Sequence, residues 1–415
     1  MPTLAPKLPW QHPFAGGYPR RGGQPLPTDP DAIDYLNRVA AADGASVEVG
    51  IAQAIDAFVR GCKADSAGYA GDPTRSNWDA IKAACIMCGA RTLSGALVPL
   101  SVDYGPELVD IENLPTPLIS DAGTSGEWDA ASRTMSNNDP ASDSRGSYPR
   151  YSFSYAGSGG KRWLVTGRLT GDTANVNAIL FGTIPVSYNA ATGEFSGVVV
   201  AAGGWLEIQC RTDVARVFSV TIEELSIRQD RSTPTAYNFT SSNYNRETGL
   251  VGDGSTKYLD SNRANNADGQ DDKHLAVYST STQVGGNVMF AGVASGGNAT
   301  RIYKQSVEAW LTYDGSTGAF STPITNASLV GLVGLTRSGS SSFSARIAGT
   351  AAGATTPSVA FGPLNHFVFG QNSSGSANSL TSSRLAFYSI GSSLSLSALD
   401  ARVSTLVSQI AAAIP

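Results

Sequence analysis

The chain has 415 residues, 41% of them hydrophobic and only 15% charged, with 45 glycines, a net charge of -5 and a pI near 5.3. The length suits two to four domains, and the charged fraction falls well below the ~25% of an average soluble domain. An acidic balance argues against a general nucleic-acid binder, which needs a concentrated basic surface. No run approaches the roughly 18 apolar residues that span a bilayer, so membrane insertion is not expected.

Residues 1–28 hold Trp10, Phe14 and Tyr18 among closely spaced prolines. Proline blocks helix and central strand, so this segment is expected to be an extended arm without a core, with the aromatics docking on another surface. The start "MPTLAPKLPW" has no apolar h-region, which argues against a signal peptide and export by that route.

Residues 29–100 read as a small helical region. Asp29 and Pro30 form an N-cap and N1 pair, with Ile33, Leu36 and Val39 on one face and Gly44 as the stop. Ser46 is the expected cap of a second helix carrying Ile51, Ala54, Ile55, Phe58 and Val59 at i, i+3, i+4, i+7, i+8. Asn77 is the expected cap of a third. Its Trp78, Ile81, Cys85 and Cys88 fall on one helical face, which turns both thiols of "CIMC" into a core. A zinc site would need four ligands. The three histidines, His12, His274 and His366, are not spaced to complete one.

Residues 101–115, with Pro106 and Pro115, read as a linker. From 116 to 230 the pattern becomes "YSFSYA", "KRWLVTGRLT", "NAILFGTI", "GEFSGVVVA", "GWLEIQCR" and "VFSVTIEELSIRQ". These short alternating runs between turn residues predict an antiparallel β-sandwich. The inward phase slips at Glu223–Glu224, as a β-bulge would make it. Residues 231–415 repeat the habit with eight further candidate strands, including a hairpin over "LTRSGSSSFSAR". The chain closes in a helix capped by Ser397, with Asp400 as a capping-box partner and Leu399, Val403, Leu406, Val407 and Ile410 on its apolar face. Such a stripe must lie on a neighbour. The fold class expected is therefore mainly β, with two antiparallel β-sandwiches, a small N-terminal helical region, an extended arm and a C-terminal helix.

Chemistry-bearing motifs are absent. No nucleophile elbow, zinc-protease helix, P-loop or dinucleotide loop occurs. Glu223 and Glu224 are neighbours in a strand and should point to opposite faces, so they make a poor glycosidase pair. Asp268, Asp271 and Asp272 share one loop and are the candidate Ca²⁺ ligands, without EF-hand spacing. No cofactor or other metal is expected. Sugar C–H faces pack on aromatic rings, which makes Trp163, Trp205, Tyr188 and Tyr151 the candidate glycan-binding residues.

Two stretches carry a resemblance. "FSVTIEELSIR" (218–228) is similar to the closing strand F-x-x-x-I-D-N-[VL]-S-[VI] of jelly-roll carbohydrate-binding modules, with Glu223–Glu224 in place of Asp-Asn. "YNFTSSNYNRETGLVGDGSTKYLDSNRANNADGQDDKHLAVY" and "SRLAFYSIGSSLSLSALDARVSTLVSQI", together with "DYLNRV…WDAIKAACIMCGARTLSGALVPL", resemble a module of tailed-bacteriophage virion proteins. That module is a concanavalin-A/laminin-G-like sandwich of fibre, spike or decoration proteins. The resemblance covers roughly 30–100 and 231–415 and implies that 116–230 is an inserted domain. It further implies a non-enzymatic protein at the virion surface, an arm that docks on other virion proteins, a homo-oligomer with a trimer favoured, and host-surface glycan as a candidate ligand. A fibre-borne polysaccharide depolymerase and a cellular lectin or adhesin are the alternatives. Within this frame "GLVGDGSTKYL" reads as strand, Gly turn at Asp253–Gly254 and second strand, a scaffold without chemistry.

Overall fold

The computed structural model describes residues 27–102, 104–107, 126–129, 131–137, 150–154, 162–181, 184–200, 205–211, 218–230, 232–281, 287–305, 309–315, 324–325 and 330–415. The arm residues Trp10, Phe14 and Tyr18 lie outside them. The described chain is mainly β and antiparallel, with short N-terminal helices and one C-terminal helix. It separates into two compact units. One takes the described residues up to Ser101, Ala236–Asp260 and Ala264–Pro415; the other takes the described part of Val102–Thr235, with Ser261–Arg263.

Among the described residues of the first unit, an eight-stranded sheet buries both faces of its central strands. One face meets a nine-stranded sheet across a core of Leu259, Leu275, Val277, Phe290, Ile302, Val333, Leu385 and Tyr388. The other face is covered by helices α1 (Pro30–Asp43), α2 (Val49–Ala64) and α5 (Leu396–Ala413), with α3 (Asn77–Ala80) and α4 (Leu93–Ala96) as single turns between. Phe58 of α2 meets Phe387 of the sheet edge-on, with ring centroids 5.9 Å apart. Asp29 caps α1 through the N–H groups of Asp31 and Ala32, with Pro30 opening the helix, as the sequence indicates.

Three helix expectations are corrected. The "CIMC" segment is not a helix: α3 stops at Ala80 and Ile81–Ile86 is a strand paired with Arg384–Gly391. Ala83, Cys85 and Met87 face the inter-sheet core, while Ala84, Ile86 and Cys88 face the helices. A strand buried on both faces is continuously apolar, and a short apolar run does not distinguish it from a buried helix. The two thiols of the pair therefore point to opposite sides. None of the four cysteines is in a disulfide, all four are buried, and burial pushes the thiols of Cys62 and Cys88 up to about 12. Second, α2 starts after Glu48, not Ser46, and Glu48 instead bridges Arg91 and Arg246, each at 2.8 Å. Third, α5 is capped by Ser395. Asp400 is drawn away from any capping box by Arg346 of strand Ser342–Ile347, at 2.6 Å. The hairpin over "LTRSGSSSFSAR" forms as read, with Gly331–Arg337 pairing Ser342–Ile347.

The segment "GLVGDGSTKYL" is not a hairpin. Gly249–Val251 belongs to the eight-stranded sheet and Tyr258–Ala264 to the nine-stranded one, so the turn carries the chain from one sheet to the other. Asp253 makes that crossing. Its carboxylate accepts the N–H groups of Ser255, Thr256 and Lys257 at 2.8–2.9 Å, the Thr256 hydroxyl at 2.6 Å and the Lys257 ammonium at 3.2 Å. Burial opposes the charge, but these donors outweigh it and hold the carboxyl well below the usual range. Asp253→Ala is expected to cost about 1–3 kcal/mol. A depressed carboxyl stabilises the fold in full above its unfolded value of about 3.9 and loses that contribution as pH falls through the folded value. The stability gap between the native protein and Asp253→Asn, followed by urea unfolding, should therefore be widest near neutrality and shrink below about pH 4. A gap independent of pH would show that the charge contributes nothing.

Among the described residues the second unit is an antiparallel sheet of ten strands around its own core of Trp163, Val165, Leu169, Ile179, Phe181, Phe195, Ile208, Phe218, Val220, Ile222 and Ile227. The inward row of strand Arg162–Gly171 runs Trp163, Val165, Gly167, Leu169. Gly167 belongs there because a Cβ would run into the Phe195 ring and the Glu224 carbonyl. The bulge falls at Glu223, between the Ile222 and Glu224 pairings. It also overturns the expectation that Glu223 and Glu224 diverge. The extra residue re-aims the strand, and both carboxylates reach Arg168, at 3.3 and 2.7 Å.

Candidate functional site

The aromatic platform expected on the second unit does not form at Trp163. That indole is 1% exposed and packed within the core, so its faces are covered by protein. Its position on an inward-facing row is the reason. Tyr188 is half-buried against the same core; its hydroxyl donates to the Thr173 carbonyl at 2.8 Å, and burial, then nearby Cys210, pushes it up to about 12. Trp205 and Tyr151 lie on the paired strands Trp205–Arg211 and Arg150–Ser154, and their side chains fall outside the described residues.

The proposed Ca²⁺ loop is also reassigned. Asp272 is bound by Arg75 through two contacts of 2.7 Å and accepts the N–H and hydroxyl of Ser393, so it fastens the loop to the chain. Asp268 and Asp271 join no group of three metal-ligating side chains among the described residues. His274 is buried, with Nδ1 2.6 Å from the Ser392 carbonyl and Nε2 2.7 Å from the Ser389 hydroxyl, and His366 is buried as well.

An aromatic ladder is assembled elsewhere, on the outer face of the nine-stranded sheet. Tyr237 stacks on Tyr258, with centroids 4.4 Å apart and planes at 10°, and Tyr258 stacks on Phe367 at 4.6 Å and 29°. The three rings come from strands Thr235–Tyr237, Tyr258–Ala264 and Asn365–Val368, which are neighbours in the sheet. Alternation along a strand explains the placement: Leu259 and Val368 point into the core, so Tyr258 and Phe367 point out. Tyr237 is 40% exposed while Phe367 is only 5% exposed, so the stack presents its Tyr237 end to solvent.

Polar groups flank the rings. Register places Asp260 opposite Phe367, Phe367 opposite Gly292, and Gly292 opposite Arg301, all on this face. The Asn365 amide donates to the Asp260 carboxylate at 3.3 Å. Arg301 lies 5.2 Å over the Tyr303 ring and donates to Gln371 at 3.2 Å. Burial first, then the Asp260 charge, raises the Tyr237 hydroxyl; burial, Tyr237 and Asp260 raise that of Tyr258. Both phenols are thus neutral donors over the physiological range. Within the stack Tyr258 is covered on both faces, so the exposed Tyr237 ring is what the ladder offers to the apolar C–H face of a pyranose, with the Asn365 amide and the Asp260 carboxylate on the same sheet face for its hydroxyls.

No protein-family model matches the sequence, and no curated protein does. Among solved structures the chain is similar to domains LG4-5 of the mouse laminin α1 chain. Identity is 11%, the likeness covers 69% of this chain and 95% of that one, and the TM-score is 0.24. Among the described residues no helix is long and apolar enough to cross a membrane.

The ladder escaped the sequence reading because its rings are dispersed along the chain. Tyr237, Tyr258 and Phe367 are brought together only by the pairing of strands distant in sequence. The one available signal was the parity of Tyr258 against Leu259 in "KYLDSNR".

Proposed function

We propose that the protein is a non-enzymatic component of a bacteriophage virion surface that binds host-surface glycan through the outer face of its nine-stranded sheet. The observation that carries this reading is the stacked, partly exposed Tyr237–Tyr258 pair beside Asp260 and Asn365. The virion assignment rests on the likeness of the 30–100 and 231–415 segments to tailed-phage proteins. In this reading the 1–28 arm docks on another virion protein, the assembled form is a homotrimer, and binding needs no cofactor.

Immobilised bacterial capsules and lipopolysaccharides, probed with the purified chain, test the reading. Tyr237→Ala removes the exposed ring and little of the core. It should weaken binding by about tenfold, the equivalent of ~1.4 kcal/mol and the scale of one aromatic contact. Binding indifferent to Tyr237 would move the site elsewhere. Release of reducing ends from any of these polysaccharides, abolished by changing one carboxylate, would replace the binding reading with a depolymerase.

A further inference from the structure

A concavity of about 560 Å³ opens between α2 and the last turns of α5. Its walls include Gly50, Gln53 and Ala57 of one helix and Gln409, Ala412 and Ala413 of the other. Gly50, Ala57, Gln409 and Ala412 are exposed. The charged residues of the lining, Asp56 and Arg60, pair with each other at 3.0 Å, so the groove presents no unbalanced charge. It suits an uncharged, narrow, extended occupant that short side chains let come close.

The chain itself enters at this groove. Thr28 is part of the lining, and the N–H groups of Thr28 and Asp29 both donate to the Asp56 carboxylate at 2.8 Å. The next contact sets the direction of travel. The Asp29 carboxylate accepts from the Lys63 ammonium, seven positions further along α2. From Thr28 to Asp29 the chain therefore runs toward the end of α2, and traced backward it heads for Gly50 and the end of α5. The sequence on that side is Gly22, Gly23, Gln24, Pro25, Leu26, Pro27, all uncharged. Each residue that precedes a proline is held to extended backbone, and a Pro-rich run favours the polyproline helix. Asp56 to Gly50 spans about 9 Å at ~1.5 Å per helical residue. Three polyproline residues at ~3.1 Å each cover that length, so Leu26 and Pro25 would reach Gln53, Gly50 and Ala412.

We propose that this groove is the seat of the chain's own residues 22–26, which lie along it as a strap. Tethering at Thr28 puts the segment at an effective concentration on the order of millimolar, and its prolines lower the cost of ordering it. The strap fixes the end of the helical layer from which residues 1–21, with Trp10, Phe14 and Tyr18, leave the fold. It holds whatever the far end of the arm binds.

Two measurements on the full chain test this. In the first, Leu26→Cys and Gln53→Cys are combined and oxidised. The pair should cross-link within one chain, whereas Leu26→Cys with Ala401→Cys should not, because Ala401 is exposed about 12 Å further back along α5 than Gln409. Mixing the two single variants, Leu26→Cys and Gln53→Cys, should give no cross-linked dimer. In the second, trypsin cleavage after Arg20 and Arg21 is timed in the unmodified chain. It should be about tenfold slower than in a synthetic peptide of residues 14–30, by the same factor at every protein concentration. Ala412→Trp, which fills the groove from an exposed position, should restore most of the peptide's rate. No cross-link at Gln53, an equal one at Ala401, or cleavage as fast as in the peptide overturns the proposal. Cross-linked dimers from the mixed single variants, or protection that grows with concentration, overturn it too by giving the groove to the arm of a second copy. Should Ala412→Trp fail to fold, the cross-link and the unmodified chain still decide.

Discussion

Replacing Asp314 by alanine is expected to destabilise the first unit by about 3–5 kcal/mol, the cost of breaking a buried ion pair from one side. Asp314, on strand Ala309–Gly315 of the nine-stranded sheet, is completely buried. Its carboxylate accepts from Arg337 on one oxygen and from Lys273 and the Thr300 hydroxyl, each at 2.8 Å, on the other. Lys273 and Arg337 come from the facing eight-stranded sheet, so a single carboxylate ties the two sheets together. Arg337 spends its remaining donors on the carbonyls of Asp314, Ser342 and Thr356. Two cations thus share one anion away from water. Burial is the main cause that lowers the Lys273 ammonium, although Asp314 works against it. Alanine would leave both cations buried and unpaired. The triple replacement Lys273→Leu, Asp314→Leu, Arg337→Met removes all three charges and should be less destabilised than Asp314→Ala alone, because the penalty lies in the uncompensated charge and not in the missing attraction. Denaturant unfolding measures both. A loss below about 1 kcal/mol for Asp314→Ala would mean that water reaches the cluster.

Sequence patterning made some elements legible and hid others for physical reasons. Helices α1, α2 and α5 each bury one face and expose the other, so their stripes at i, i+3, i+4 and i+7 can be read directly. Ile81–Ile86 buries both faces, which erases the alternation that would mark it as a strand. The bulge at Glu223 was visible as a slip of phase, but its consequence, two carboxylates on Arg168, depends on a strand more than fifty residues earlier. Asp253–Gly254 was visible as a turn. That the turn changes sheets depends on the pairing of Gly249–Val251 with Arg384–Gly391 and of Tyr258–Ala264 with Asn365–Val368, both more than a hundred residues away. Buried charges such as Asp314 and Arg337 look in sequence like ordinary polar strand ends. Sites formed by pairing across long separations, the aromatic ladder among them, leave no local pattern.

Trp163→Ala is expected to cost about 3–5 kcal/mol in the second unit, as for other large buried aromatics, and to leave glycan binding by the first unit untouched. Trp163 pairs with Val199 on one side and Gln229 on the other, in the strand that joins the two longest ladders of this sheet. Its ring fills the core beside Val165, Val199 and Ile227. Truncation opens a cavity that strands held in register on both sides cannot close, so the transfer cost of the ring and the cost of the void add. Because the chain forms two units, a single unfolding midpoint would blur the effect. Amide hydrogen exchange resolves it: protection should fall across Arg162–Gly171, Glu194–Val200 and Phe218–Asp230 and persist in Lys273–Ser279 and Arg384–Gly391. The contrast with Tyr237→Ala is the informative part. Tyr237 is exposed and should lose binding with little loss of stability, whereas Trp163 is enclosed and should lose stability with no loss of binding. A Trp163→Ala protein with native protection but lost sugar binding would return the indole to a binding role and require it to leave the core when ligand arrives.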